Sequence, residues 1–236
     1  ASAARRERIA VIGGSEETVA QMVNRAKAVN SERVVLVGPD IASDGGGTMS
    51  AVFAAAAVAA VIAGNTDPSV PINGAELTLF GAAGKRLSDN EIDQLVRGGV
   101  TPIETVGGVS SPVRGITTKT SSGGAADTTW RELTTILIVD EVIPTIRSAL
   151  RTRFARSKNT AQSRGAIRSQ VVLELEEMKS REIVDSYGEV LVSALKSDPT
   201  VCLVEFSFTV AHGLNRIYLT AHITVSGGKI WRIRYC

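Results

Sequence analysis

Apolar positions along the chain recur with more than one period, and the period changes mark the elements. RIAVIG (Arg8–Gly13) and RVVLV (Arg33–Val37) are short apolar runs and read as buried strands. Between them Val19, Met22, Val23, Ala26 and Val29 recur at helical spacing, with Ser15 as the expected cap and Glu16 and Glu17 at the helix's positive end. This β-α-β opening predicts a parallel sheet with a right-handed crossover. An Ala-rich helix is predicted from about Ser50, closed by Gly64-Asn65 with Pro68 and Pro71 beyond. Its apolar run, Ala51–Ala63, has 13 residues. A membrane span needs about 20, so the run reads as a buried helix. Glu76–Phe80 is a further candidate strand. Ser88 and Glu91 have capping-box spacing ahead of Ile92, Leu95 and Val96, and Gly98-Gly99 ends that helix. Val100–Val106 and Val113–Thr118 read as strands around a Gly-Gly turn.

TSSGGAADTT (Thr120–Thr129) is small, polar and without periodicity, which marks a linker. The expected partition is a first domain over 1–119, the linker over 120–129, a second domain over 130–226 and a terminal arm over 227–236. Beyond the linker, Leu133–Val139 is β-branched and predicted as a strand. Pro144 suits the first turn of a helix running to about Phe154, and a second helix covers roughly Gly165–Lys179. From Val201 to Ala211, Cys202, Val204, Phe206, Phe208 and Val210 share one face. Ile217, Leu219, Ala221, Ile223 and Val225 do the same in the next segment. Strict alternation predicts two half-buried antiparallel strands joined through His212–Arg216. After Gly227-Gly228, Lys229–Tyr235 is a last strand, with Trp231, Ile233 and Tyr235 on one side and Ile230, Arg232 and Arg234 on the other. Such a strand closes its own sheet or adds to a neighbour's edge. The fold class expected is α/β, followed by a smaller α+β domain with an antiparallel hairpin.

Composition bounds this picture. A chain of 236 residues suits two domains and buries about 70% of its unfolded surface. It is 44% apolar but only 4% aromatic, so its core is built from Ala, Val, Ile and Leu. Two cysteines, Cys202 and Cys236, make no disulfide scaffold and are expected as reduced thiols. Ala1–Arg8 is polar and basic, without the apolar core of a signal peptide. The net charge of +2 argues against a general polycation.

Candidate chemistry is sparse. Gly13-Gly14, between a strand and a helix, is where a phosphate would sit on a helix N-terminus. However, the dinucleotide pattern G-x-G-x-x-G is incomplete and two carboxylates follow it. A nucleotide-binding enzyme using this turn is the alternative reading. The histidines, His212 and His222, have no nucleophile elbow to serve, and two Cys and two His lack metal-ligand spacing. No catalytic, cofactor or metal residue is assigned, and no cofactor is expected. Charge is more informative. Val142–Leu173 holds no acid and seven bases: Arg147, Arg151, Arg153, Arg156, Lys158, Arg164 and Arg168. The rest of the chain has 19 bases against 24 acids, and Glu174–Glu189 holds six acids against Lys179 and Arg181. A basic element beside an acidic one is a solvated face or a surface for an anionic partner. Without an aromatic platform beyond Phe154, nucleic acid is not the expected partner.

Several segments, in order, resemble one family. RIAVIGG, AVNSERVVLVGPD, the Ala-rich helix ending VIAGNTDPSVPIN, LSDNEIDQLVRGGVTPIE, VRGITT, WRELTTILIVDEVIPTIRSALRTRF and RIYLTAHITV are similar to contractile phage tail and bacteriocin sheath proteins. The resemblance implies a subtilisin-like α/β domain that is not a protease, and a C-terminal domain lying against an inner tail tube. It implies a homo-oligomeric sheath, stacked or helical, that also meets a baseplate and a tail terminator. Neither a membrane anchor nor nucleic acid enters. The location implied is the virion tail, assembled in the bacterial host cytoplasm. The seven bases become candidates for tube or subunit contact. Lys229, Ile230, Trp231, Arg232, Ile233, Arg234 and Tyr235 become a candidate inter-subunit strand. Family members carry more chain ahead of the RIAVIGG strand, so this chain reads as lacking their N-terminal part.

Overall fold

The computed structural model describes residues 7–14, 16–42, 47–77, 84, 86–214, 219–225 and 229–235, the last two segments as backbone. The chain opens β1 (Ala10–Gly13), α1 (Val19–Val29), β2 (Val34–Gly38), β3 (Ile41–Ala42), β4 (Thr48–Met49), α2 (Val52–Gly64), α3 (Asp89–Arg97), β5 (Val100–Val106) and β6 (Val109–Pro112). One sheet of order β1-β2-β5-β6 organises them. β1–β2 and β2–β5 are parallel, and β5–β6 is an antiparallel hairpin turned by Gly107 and Gly108, both at positive φ.

Alternation along β2 divides the core. Leu36 packs with Met22 and Ala26 of α1, with Leu87 just ahead of α3, with Leu95 of α3 and with Val100 of β5. Val35 and Val37 face the opposite side, with Ala54, Ala55 and Val58 of α2 and with Ile103. The sheet is therefore sandwiched between helices, as a β-α-β opening requires. α2 is not buried all round, since Val52 and Phe53 are exposed. The Ser88 capping box is present in full, Ser88 taking the Glu91 N–H and Glu91 the Ser88 N–H. α1 is capped by Thr18 in a box with Gln21, and begins beyond Glu16 and Glu17, so neither acid is in its first turn. The expected cap, Ser15, lies outside the described residues. Of Glu76–Phe80, Leu77 makes a single bridge to Ser110, and 78–80 are outside the described residues. Val113–Thr118 is not a strand. It is held by Thr101, whose hydroxyl donates to the Ile116 carbonyl and accepts its N–H, and by one bridge from Ile116 to Glu132.

The predicted linker carries a small hairpin, β7 (Ser121–Ser122) with β8 (Ala125–Ala126). α4 (Leu133–Phe154) and α5 (Ala161–Ser180) follow, then β9 (Val184–Tyr187), β10 (Leu191–Leu195), β11 (Asp198–Glu205), β12 (Phe208–Val210), β13 (Leu219–Val225) and β14 (Lys229–Tyr235). Leu133–Val139 is thus the start of a helix, not a strand, and Pro144 stands inside it rather than in its first turn. Tertiary packing overrides β-propensity here. Leu133 and Ile136 join the sheet domain's core, while Ile138, Val142 and Ile146, spaced by four, pack with Val171, Leu175 and Met178 of α5. Only a helix offers both stripes at once.

Val201–Ala211 alternates in burial as expected, but it does not pair with the segment that follows. The run breaks between β11 and β12. β11 pairs with β10 and β12 with β9, both antiparallel, and both pairs cover the α4–α5 hairpin. β13 pairs with β14, from Leu219↔Tyr235 to Val225↔Lys229. The expected hairpin between 201–211 and 217–225 is therefore corrected to a β13–β14 ribbon.

Candidate functional site

The seven bases run from part-way along α4, through the α4–α5 turn, to the second turn of α5, and the structure divides them by what they touch. Arg147, part-way along α4, reaches back to Glu7 at 3.3 Å. The Glu7 carboxyl is held below its ordinary value, chiefly by a backbone hydrogen bond, with Arg147 and Arg33 adding to it. Arg33 itself pairs with Asp140, so two arginines tie α4 to the sheet domain. Arg153 donates to Gln170 Oε1 across the helix pair. Arg164 holds Asn159 through its side-chain and backbone oxygens, at 3.1 and 3.4 Å. Arg168 Nε donates to the Val190 carbonyl at 2.9 Å. Arg151, Arg156 and Lys158 are exposed, and among the described residues their side chains make no hydrogen bond or ion pair. Arg151 and Arg153 sit in the last turn of α4, where the helix dipole favours cations. Arg156 and Lys158 lie beyond the helix and have no such account.

Sequence reasoning missed the surface beside this corner. Asn159 Nδ2 donates to the Pro199 carbonyl at 2.7 Å and the Val201 carbonyl at 3.3 Å, fastening the α4–α5 turn to β11. Val204 and Val192 face the core, so Leu191, Val201 and Leu203 face outward, and all three are exposed. The signal was present: β11 is apolar on both faces over Val201–Val204, whereas one buried face needs only alternate positions.

The ribbon carrying the second candidate set, Lys229 to Tyr235, is a two-stranded sheet. By register Leu219, Ala221, Ile223 and Val225 share a face with Tyr235, Ile233, Trp231 and Lys229. β14 is paired along one edge by β13, and among the described residues no strand pairs its other edge.

The Gly13-Gly14 turn is explained by packing. A Cβ on Gly13 would overlap the backbone of Ala51 and Val52, at the start of α2. Ser50 Oγ donates to the Gly14 carbonyl at 2.7 Å, and Asp40 accepts the Glu16 and Ala51 N–H groups. A cavity of about 700 Å³ beside α1 is lined by the carboxylates Glu16, Glu17, Asp40 and Glu91, the wrong charge for phosphate. Among the described residues no group of His, Cys, Asp and Glu is arranged to hold a metal, and no helix is long and apolar enough to cross a membrane. Cys202 is a free thiol and Cys236 lies outside the described residues. His212 is exposed; the His222 side chain is outside the described set.

Residues 125–224 match the family described as phage tail sheath C-terminal domain. The chain is similar to phage tail sheath proteins. It is 28% identical over 230 residues to the tail sheath protein of Bacillus phage SP01, covering 95% of this chain and 39% of that protein. The fold is similar to the sheath tail protein of Listeria innocua, with a TM-score of 0.66 at 14% identity over 87% of this chain and 46% of that one. It is also similar to the contracted PVC sheath of an extracellular contractile injection system, at TM-score 0.65 and 12% identity, over 86% of this chain and 60% of that one. The chain thus spans about two fifths of the curated relative and under half of the Listeria protein. Both structural relatives support the mixed α/β fold; the resemblance read from the sequence holds.

Proposed function

We propose that this chain is a structural portion of a contractile tail sheath subunit. It polymerises with copies of itself around an inner tail tube, and contraction of the lattice drives the tube through a host envelope. The match of residues 125–224 to the sheath C-terminal domain family is the observation that carries this reading. The first 119 residues would then be a subtilisin-like domain without protease chemistry, and no catalytic turnover is required. Energy for contraction would come from exchanging one set of subunit contacts for another.

The terminal ribbon supports a role in linking subunits. An isolated two-stranded ribbon is marginally stable in water, and among the described residues no strand pairs the second edge of β14. Strand addition at that edge would give each added residue a backbone partner. The exposed bases of the α4–α5 corner serve either the tube or a neighbouring subunit. The remaining assignments are a baseplate and terminator at the sheath's ends, a virion location and assembly in the host cytoplasm. Negative-stain electron microscopy of the chain mixed with purified tubes tests the reading: ribbed sheaths support it, and bare tubes beside unassembled protein refute it. For the nucleotide alternative, ligand at 100 times its dissociation constant would add about 2.7 kcal/mol of stability, so absence of a thermal shift with ATP, GTP and NAD removes it.

A further inference from the structure

Two surfaces of the second core complement each other, and they sit at different points along the same helix pair. The first joins the α4–α5 corner to the β10–β11 ribbon. Asn159 locks the turn onto β11, so the exposed Arg156 and Lys158 stand at the Pro199–Val201 end of a ribbon whose outward positions include Val201, Leu203 and, at its far end, Leu191. The second lies on α5. Leu173 is 55% exposed there, and Glu176 and Glu177, both exposed, follow it by three and four residues on the same helix face. The first surface is apolar with bases at its Asn159 end and Glu205 at its far end, across from Leu191; the second is apolar with acids.

The α5 rise of 1.5 Å per residue puts about 20 Å between the basic end and the acidic face, so the two are not satisfied by each other within one chain. We propose that the basic corner and outward β10–β11 face dock on the Leu173–Glu177 face of α5 in a second copy of this chain. The contact is heterologous, since each copy offers one of each surface. Repetition closes a ring or runs on as a helix. This deepens the sheath reading by naming one subunit contact, and rests on it only for the crowded assembly in which the contact operates. Leu203 and Leu173 supply burial, while the charges set orientation and make the contact salt-sensitive.

Sedimentation velocity of the 236-residue chain alone tests this. The chain is expected to self-associate at about 50 mM salt and to weaken about tenfold at about 500 mM. Reversing the corner (Arg156→Glu, Lys158→Glu) or the helix face (Glu176→Lys, Glu177→Lys) abolishes association of each variant by itself. Mixing the two restores it, because the intact corner of one meets the intact face of the other. Circular dichroism checks that both variants fold. A parent chain that stays monomeric up to about 100 μM at low salt overturns the proposal, since that range covers weak association. So does a folded pair of variants whose mixture fails to associate. A corner that serves the tube instead gives those results while the tubes still acquire a sheath, so the sheath reading survives the loss of this contact.

Discussion

Gly13 and Gly14 are adjacent, and the structure gives them opposite tolerances. Neither has a positive φ, so Ala is allowed at both by the backbone. At Gly13 the three nearest obstacles to a Cβ are backbone atoms of Ala51 and Val52, all well inside 3.0 Å, a distance real Cβ atoms essentially never breach. Ordinary contact begins at 3.4 Å, so the first turn of α2 has to retreat by about 1 Å. That helix buries Ala54, Ala55 and Val58 against the sheet, so its retreat loosens the core. Overpacking of this kind costs about 1–3 kcal/mol, partly offset by about 0.5 kcal/mol from stiffening the unfolded chain. At Gly14 the nearest obstacle is the end of the Glu17 side chain, which can swing away, at the expense of its 2.7 Å pair with Arg25. Loss of that partly exposed pair costs under about 1 kcal/mol. Urea unfolding of Gly13→Ala and Gly14→Ala should therefore separate the two, with Gly13→Ala the more damaging by about 1–2 kcal/mol. Equal stabilities, or a Gly13→Ala chain within about 0.5 kcal/mol of the parent, would refute the packing account.

Other expectations follow from local geometry. Ser88→Ala removes the hydroxyl that accepts the Glu91 N–H and should cost about 1 kcal/mol in chemical denaturation, with Thr18→Ala costing about as much; two neutral results would show the boxes to be incidental. The Asp198 carboxyl lies below its ordinary value, first because the Thr200 hydroxyl donates to it and then because the Thr200 N–H does. Its contribution to stability is present above the unfolded-state pKa and is lost as pH falls through the lower folded value. Thr200→Val should move that pKa part of the way back up in an NMR titration, and an unmoved titration would dismiss the hydroxyl's role. Deleting Lys229–Cys236 should leave the α4–α5 core folded by circular dichroism yet stop sheath formation on tubes; sheaths built from the truncated chain would dispose of the strand-addition reading.

Local order was written in the sequence where one short period or one side chain decides it. The β-α-β opening, the Ser88–Glu91 box and the alternation through Val201–Val210 all appear in the structure, because each depends on neighbours within about one helical turn or a few strand positions. The resemblance to sheath proteins could also be read, and the match to a tail sheath protein extends over 230 residues. Tertiary structure decided the rest. LTTILIV has neither a clear period of two nor of 3.6, and it became helix because two separate cores drew Leu133 and Ile136 one way and Ile138 and Val142 another. Alternation told which face of β11 is buried but not which strand lies beside it, since backbone pairing carries no residue code; β10 took that place and left β13 to β14. The acid-free run likewise fixed a charge, not a role. Glu7, Gln170, Asn159 and the Val190 carbonyl engage Arg147, Arg153, Arg164 and Arg168, and three of these partners lie well outside the local helix turn. Only the fold brings those groups within hydrogen-bond reach, and so only the fold distinguishes the bases that brace this chain from Arg151, Arg156 and Lys158, which face outward.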